Sequence, residues 1–156
     1  MIVHVAAVGR VRHAGLQAAC DDYAGRARRY LKLEVHEVRE AGRRAPDAVS
    51  TRRLEAERLA ATLPTDARLV ALTRTGVALT SRAFAERVEG WRADARDVAF
   101  LIGGAWGLDP DLIGRSEVQL RLGSFTLPHE LARLVLLEQL YRAATILRGE
   151  PYHKGD

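Results

Sequence analysis

Residues 98–107 read Val-Ala-Phe-Leu-Ile-Gly-Gly-Ala-Trp-Gly, an unbroken apolar run that leads directly into a cluster of glycines. A strand that is apolar at every position is typical of a parallel sheet with helices on both faces. We therefore predict a buried strand at Val98–Ile102. Ligands of doubly wound sheets bind at the carboxyl ends of the strands, where these glycines lie. A tight strand-to-helix turn would explain the same glycines equally well.

Strand and helix patterns alternate on both sides of this run. Further strands are predicted at 2–8, 33–38, 68–73 and 118–122, and helices at 14–31, 49–63, 81–95, 110–113 and 128–147. We expect Ser50 or Thr51 to open the second helix and Ser81 to cap the third, with a turn at Thr75-Gly76. The alternation predicts an α/β fold with a mostly parallel sheet.

The length of 156 residues and the hydrophobic share of 47% fit one globular domain. No apolar stretch is long enough to cross a membrane, and the basic residues follow the run Ile2–Val8, the reverse of a signal peptide. The single cysteine, Cys20, excludes an internal disulfide and a cysteine-based zinc cage, and favours a reducing compartment, the cytoplasm. On an apolar helix face, it is predicted to be a small core residue and not a nucleophile. The five histidines show no metal-ligand spacing, so no metal is expected.

The net charge of +4 arises entirely in the amino-terminal part of the chain. Residues 1–58 carry 12 basic and 8 acidic side chains, whereas residues 59–156 carry 12 of each. Only Lys32 and Lys154 are lysines, so nearly every cation is a guanidinium, whose forked donors match phosphate oxygens. A solvated arginine-rich surface explains any single cluster. Together, the clusters favour an anionic partner such as RNA.

The predicted last helix is apolar on more than one face. Its apolar positions are Leu131, Leu134, Val135, Leu137, Leu140, Tyr141, Ala144 and Ile146. A helix of this kind needs a second surface to cover it, and a twofold homodimer supplies one most simply. The alternative is a central helix in a monomer, which a chain of this length has little material to surround.

Two more segments follow predicted strands. The run Leu122–Leu127 ends at a proline that opens the last helix, and Leu72 lies near the end of an earlier strand. Three strand ends, including the glycine loop, would together hold a planar ligand through main-chain groups. The tail Tyr152-His153-Lys154 carries a hydroxyl, an imidazole and an ammonium group, which handle protons and anions.

Four motifs in order match one known family. They are 101–104 with Gly107-Leu108, then 125–129, 138–143 and 151–154, which read LIGG, GL, FTLPH, EQLYRA and PYHK. At these residues the chain resembles the RlmH (YbeA-type) family, the SPOUT-class methyltransferases that modify N3 of pseudouridine in large-subunit ribosomal RNA. The resemblance covers the whole chain, and Thr73, Val77 and Trp106 depart from the family's usual residues.

The resemblance implies a Rossmann-like α/β fold over residues 1–156 as a single domain, with a carboxyl-terminal trefoil knot and a homodimer. It also implies bound S-adenosylmethionine and, as substrate, a pseudouridine of 23S ribosomal RNA on the assembled ribosome. The residues carried over as cofactor contacts are Leu72, Gly103, Gly104, Leu122, Gly123, Ser124, Phe125, Thr126 and Leu127. Those carried over as catalytic are His153, Tyr152, Arg142 and Lys154.

These catalytic residues suit the chemistry that the resemblance implies. His153 would take or relay the N3 proton or position the base, while Arg142 and Lys154 would stabilise negative charge or bind phosphate. Tyr152 would stack or form a hydrogen bond. Two alternatives stay open: a non-catalytic RNA-binding dimer with the same fold, and a nucleotide-binding enzyme of metabolism.

Overall fold

The computed structural model describes residues 1–42 and 45–153, with the side chain of His153 excepted. The strands are β1 Val3–Val8, β2 Leu33–Val38, β3 Arg68–Ala78, β4 Val98–Ile102 and β5 Val118–Arg121. The helices are α1 Ala14–Ala27, α2 Ala48–Ala60, α3 Ser81–Ala93, α4 Pro110–Gly114 and α5 His129–Leu147, and a 3₁₀ turn follows at Pro151–His153. Strands and helices alternate along the chain, so the predicted α/β class is confirmed.

The strands form one sheet in the order β2-β1-β4-β3-β5. Each neighbouring pair is parallel, which confirms the predicted mostly parallel sheet. The apolar strand β4 is central in this order and is buried at every position. Since all strands point the same way, the segments that follow β3, β4 and β5 emerge at one edge of the sheet.

Helices cover the two faces of the sheet. Helices α1, α3 and α5 pack on the face that includes Val5 and Phe100, while α2 and α4 pack on the opposite face against Leu101. Phe84 and Trp91 of α3 meet the ring of Phe100 edge-on, with centroids 6.0 and 5.9 Å away. Burial of one such side chain contributes about 1.5–3 kcal/mol.

The predicted turn at Thr75-Gly76 is wrong, because β3 runs on to Ala78. Its pairing with β5 shifts register between Leu72 and Val77. A Cβ atom at Gly76 would lie 2.5 Å from the main-chain oxygen of Gln119, so only glycine permits this close approach of the two strands. Gly76, which led to the prediction of a turn, is therefore required by the bulge in β3.

The caps of two helices differ from the predictions, which opened α2 at Ser50 or Thr51 and capped α3 with Ser81. The Asp47 carboxylate caps α2 by accepting a hydrogen bond of 2.8 Å from the amide of Ser50. The Thr80 hydroxyl caps α3 by accepting one of 3.1 Å from the amide of Ala83. In both cases the cap is the residue still in extended conformation, from which a side-chain oxygen reaches the third amide of the helix.

Two expectations about apolar segments can be checked directly. Cys20 is buried on α1 within the core, as predicted for a small packing residue. Across residues 1–42 and 45–153, no helix is both long and apolar enough to span a bilayer.

Candidate active site

A cleft of about 840 Å³ opens beside the bulge of β3 and at the carboxyl ends of β4 and β5. Its walls come mainly from three segments, at 72–75, 102–108 and 122–129. This is the edge at which ligands bind in open parallel sheets, and the volume is in the range of small-molecule sites. The three segments singled out in the sequence therefore meet around one cavity, although Leu72 lies at the bulge inside β3 and not at the end of that strand.

Most of the expected cofactor contacts line this cleft. Those in the wall are Leu72, Gly103, Gly104, Leu122, Gly123, Phe125, Thr126 and Leu127. Ser124 belongs to the same exposed loop but is not part of the wall. The structure thus brings these residues together, and their contact with a cofactor stays a prediction.

The glycine loop after β4 folds back on itself. The amide of Gly107 donates a 3.0 Å hydrogen bond to the main-chain oxygen of Gly104, and Gly107 has a φ of +76°. A Cβ atom at Gly103 would lie 2.4 Å from the carbonyl carbon of Gly107. The loop is therefore the tight turn offered as an alternative, and it also presents main-chain groups to the cleft.

Two polar atoms in the cleft wall were not anticipated as ligand contacts. Thr73 Oγ1 and Arg52 Nε are buried, and neither has a hydrogen-bond partner in the described part of the chain. Buried polar atoms are nearly always paired, so water or a polar ligand in the cavity would supply the partners of these two atoms. Arg52 belongs to α2, far from the strand ends in sequence, so no motif at those strand ends predicts its place in the cleft.

Two aromatic side chains stand exposed at the cleft. Phe125 is 88% exposed and Trp106 is 61% exposed. Large apolar side chains left in water beside a cavity are typical of binding surfaces. Their flat faces suit stacking against a nucleobase.

Arg142 and Tyr152 come together at a second place, around Glu138. The Glu138 carboxylate accepts hydrogen bonds from Arg142 Nε at 2.9 Å and from the Tyr152 hydroxyl at 3.1 Å. The Arg142 guanidinium also lies over the Tyr152 ring, 5.1 Å from its centroid, and that ring meets Tyr141 edge-on at 4.6 Å. The hydroxyl groups of Tyr152 and Tyr23 are 3.3 Å apart.

The surroundings of Tyr152 keep its phenol neutral. Burial, the hydrogen bond with Tyr23 and the charge of Glu138 raise the pKa of Tyr152 above its ordinary value of 10.0. At neutral pH the side chain is a hydrogen-bond donor and a stacking surface, not a base. The other two predicted catalytic groups, the side chain of His153 and all of Lys154, lie outside the described residues.

The cluster around Glu138 is remote from the cleft of the same chain. Helix α5 begins at His129, which lines the cleft, whereas Arg142 lies three to four turns further on. At 1.5 Å per residue this is about 20 Å along the helix axis. Within a single chain, Arg142 and Tyr152 therefore lie far from the predicted cofactor residues.

Comparison with known sequences identifies close relatives of full length. A protein of Gemmatimonas aurantiaca, named Ribosomal RNA large subunit methyltransferase H, is 52% identical over 154 residues, which is 99% of this chain and 100% of the relative. A protein of the same name from Anaeromyxobacter dehalogenans is 51% identical with the same coverage. One from Paraburkholderia phytofirmans is 44% identical and covers 99% of both chains.

Solved structures share the fold at low sequence identity. TrmJ from Z. mobilis ZM4 superposes with a TM-score of 0.51 at 13% identity, covering 92% of this chain and 70% of TrmJ. A probable rRNA-methyltransferase from Porphyromonas gingivalis gives 0.50 at 16% identity, covering 94% and 70%. The family model described as "Predicted SPOUT methyltransferase" matches residues 1–153. The chain belongs to the SPOUT methyltransferase family.

Proposed function

We propose that this protein transfers a methyl group from S-adenosylmethionine to N3 of a pseudouridine in 23S ribosomal RNA, on the assembled ribosome in the cytoplasm. The family supports methyl transfer, and relatives about half identical over their full length are named for the large ribosomal subunit. The observation that carries the proposal is the cleft in which three segments gather the expected cofactor residues.

The residues of the cleft fit S-adenosylmethionine. Leu72 and Leu127 offer apolar surface for a flat base, and the glycine loops leave main-chain donors and acceptors exposed. Arg52 Nε and Thr73 Oγ1 are the unmet polar atoms that a carboxylate or hydroxyl of the ligand would pair. When bound, the cofactor would supply an activated methyl group, held by Leu72, Gly103, Gly104 and the loop 122–127. We expect that loop to thread the trefoil knot of the family.

The substrate nitrogen must lose its proton before it becomes a good nucleophile. We assign removal or relay of that proton to His153. Arg142 and Lys154 would stabilise the negative charge that develops on the base or would bind phosphate. Tyr152, kept protonated, would donate a hydrogen bond or stack on the base.

A homodimer would bring these groups to the cofactor. Because Glu138 and Arg142 lie about 14 to 20 Å along α5 from His129 in the cleft wall of their own chain, we propose that the tail of one protomer completes the cleft of its partner. Exposed apolar side chains on α5, Leu131 and Leu147, support a contact along this helix. A symmetric contact would then build two composite sites at once.

Calorimetric titration with S-adenosylmethionine, together with the mass of the protein in solution, is the first test. We expect a dimer that binds the cofactor. The second test incubates the protein and cofactor with ribosomes that lack the modification and analyses the 23S RNA by mass spectrometry. A gain of one methyl group on a pseudouridine is expected. A dimer that binds ribosomes but neither binds the cofactor nor methylates would instead support the non-catalytic RNA-binding alternative.

A further inference from the structure

Two histidines and a carboxylate meet where β1 pairs with β2. In the parallel register His4 lies opposite Glu34, and His36 follows two residues later on β2, opposite Ala6. Side chains two residues apart in a strand point to the same face. His4 lies near the start of β1, whereas the cleft lies beside the bulge of β3 and at the carboxyl ends of β4 and β5, so this cluster is separate from it.

The three potential ligand atoms form a nearly regular triangle. His4 Nδ1 lies 3.0 Å from His36 Nε2 and 3.6 Å from Glu34 Oε2, and the remaining side measures 3.7 Å. The point in the plane of the three atoms that is equidistant from them lies about 2.0 Å from each. This distance matches zinc–nitrogen and zinc–oxygen bonds of roughly 2.0–2.2 Å. The cluster therefore has the dimensions of a metal site without rearrangement.

The other ring nitrogen of His4 supports the same interpretation. Nε2 is buried and has no hydrogen-bond partner among residues 1–42 and 45–153, and it lies 3.7 Å from Asp97 Oδ2. The second oxygen of Asp97 is fixed by a 2.6 Å hydrogen bond from the amide of Ile2. Histidines that bind metal through one nitrogen commonly present the other N–H to a carboxylate. Metal at Nδ1 would place that N–H opposite Asp97.

We propose that His4 Nδ1, His36 Nε2 and Glu34 Oε2 form a Zn²⁺ site. Two imidazoles and one carboxylate suit zinc, whereas Mg²⁺ and Ca²⁺ prefer oxygen ligands alone. The Glu34 side chain is half exposed, so water can reach the fourth position. The ion would also place a positive charge beside the carboxylates of Glu34 and Asp97, and it would cross-link the edge strand β2 to β1.

Equilibrium dialysis of the full-length, chelator-treated protein against Zn²⁺, with metal counted by mass spectrometry, tests the site. We expect one zinc per chain in the wild type, and at least tenfold weaker binding in Glu34→Gln and His36→Gln. These two positions are preferred because His4 is buried and its replacement risks misfolding. His13→Gln, which removes an exposed imidazole at the start of α1, serves as the matched control and should keep the zinc.

Thermal unfolding provides a second readout that does not depend on methyl transfer. A ligand that binds only the folded chain raises the midpoint progressively as its free concentration exceeds the dissociation constant, so added Zn²⁺ should raise it in the wild type and His13→Gln. His36→Gln should show a clearly smaller rise at the same Zn²⁺ concentration. A wild type that binds no zinc, or a His36→Gln variant that binds it as tightly as the wild type, would overturn the proposal. The second result would assign the metal to other side chains of the protein.

Discussion

Arg133 of α5 donates a 2.7 Å hydrogen bond to the main-chain oxygen of Gly9, at the carboxyl end of β1. The same guanidinium forms an ion pair with Glu37 of β2 and is only 2% exposed. Gly9 needs its positive φ of +83°, and a Cβ atom there would lie 3.2 Å from His129 in the cleft wall. One buried arginine thus joins the helix that begins at the cleft to two strands of the sheet.

Arg133→Met should destabilise the fold. The substitution leaves Glu37 and the Gly9 carbonyl without their partner, and loss of one partner from a buried pair costs about 3 kcal/mol or more of unfolding free energy. Glu37 is one-third exposed, so we expect the low end of that range. Urea denaturation measures the change. Arg53→Met, which removes an arginine exposed at a helix surface, should change the free energy by less than about 1 kcal/mol. Equal losses of unfolding free energy in the two variants would show that the buried pair stabilises the fold no more than an exposed arginine does.

Gly103→Ala should disrupt the conformation of the loop that follows β4. The new Cβ would lie 2.4 Å from main-chain carbon of Gly107, and no flexible side chain is there to move away. We expect S-adenosylmethionine to bind at least tenfold more weakly by calorimetry, with a lower unfolding midpoint. Gly90→Ala is the matched control, because Gly90 lies on α3 outside the cleft wall and nothing lies within 4 Å of its Cβ position. It should fold normally and bind within a few-fold of the wild type. An unchanged affinity in Gly103→Ala would remove this loop from the cofactor site.

Thr73→Val should weaken cofactor binding without loss of stability. The exchange keeps the side-chain shape and removes a buried hydroxyl that has no partner in the described residues. If the ligand pairs this hydroxyl, calorimetry should show a loss of roughly five- to tenfold, about the value of one hydrogen bond. Thr62→Val removes a hydroxyl that bonds Leu59 at 2.8 Å, outside the cleft, and should leave the affinity unchanged. Wild-type affinity in Thr73→Val would exclude a contact there.

The fold was predictable from local patterns because β4 is apolar throughout and the strands alternate with helices. The strand ends of the candidate site were predictable for the same reason, since parallel strands deliver their following loops to one edge. What the patterns missed depends on partners distant in sequence. The extension of β3 through Gly76 requires β5 beside it, and the place of Arg52 in the cleft requires α2 to pack over β1 and β2.

The histidines show the same limit. His4 and His36 are 32 positions apart, so their spacing suggested no metal site, yet the parallel register of β1 and β2 places them in contact. The chemistry of its side chains singled out the tail 152–154, and the resemblance added Arg142 to the catalytic residues. Only the packing of Tyr152 and Arg142 on Glu138 reveals how far these two residues lie from the cleft of their own chain.

Tyr152→Phe tests the role of the neutral phenol. Because the pKa of Tyr152 is raised in the folded protein, the unfolded chain loses the phenol proton first as the pH rises above 10.0. The contribution of this side chain to the free energy of unfolding is therefore complete at neutral pH and falls only in alkali. The pH profile of methylation near neutrality should therefore keep its shape in Tyr152→Phe. The methylation rate of Tyr152→Phe should fall several-fold, because Glu138 loses a hydrogen-bond donor. The rate of Tyr152→Ala should fall further, because the contact of the ring with Arg142 is also lost. A changed profile in Tyr152→Phe would indicate that the phenol itself exchanges the proton.

Mixed dimers test whether the tail acts in the partner's cleft. Gly103→Ala inactivates the cleft and His153→Ala inactivates the tail, so each variant alone should be inactive. If the tail of one protomer completes the partner's cleft, a mixed dimer places both lesions in one composite site and leaves the other intact. Denaturing and refolding the two variants together in equal amounts makes half of the dimers mixed, and should restore roughly a quarter of wild-type activity. If each tail served its own cleft, both sites of every mixed dimer would carry a lesion and no activity would return.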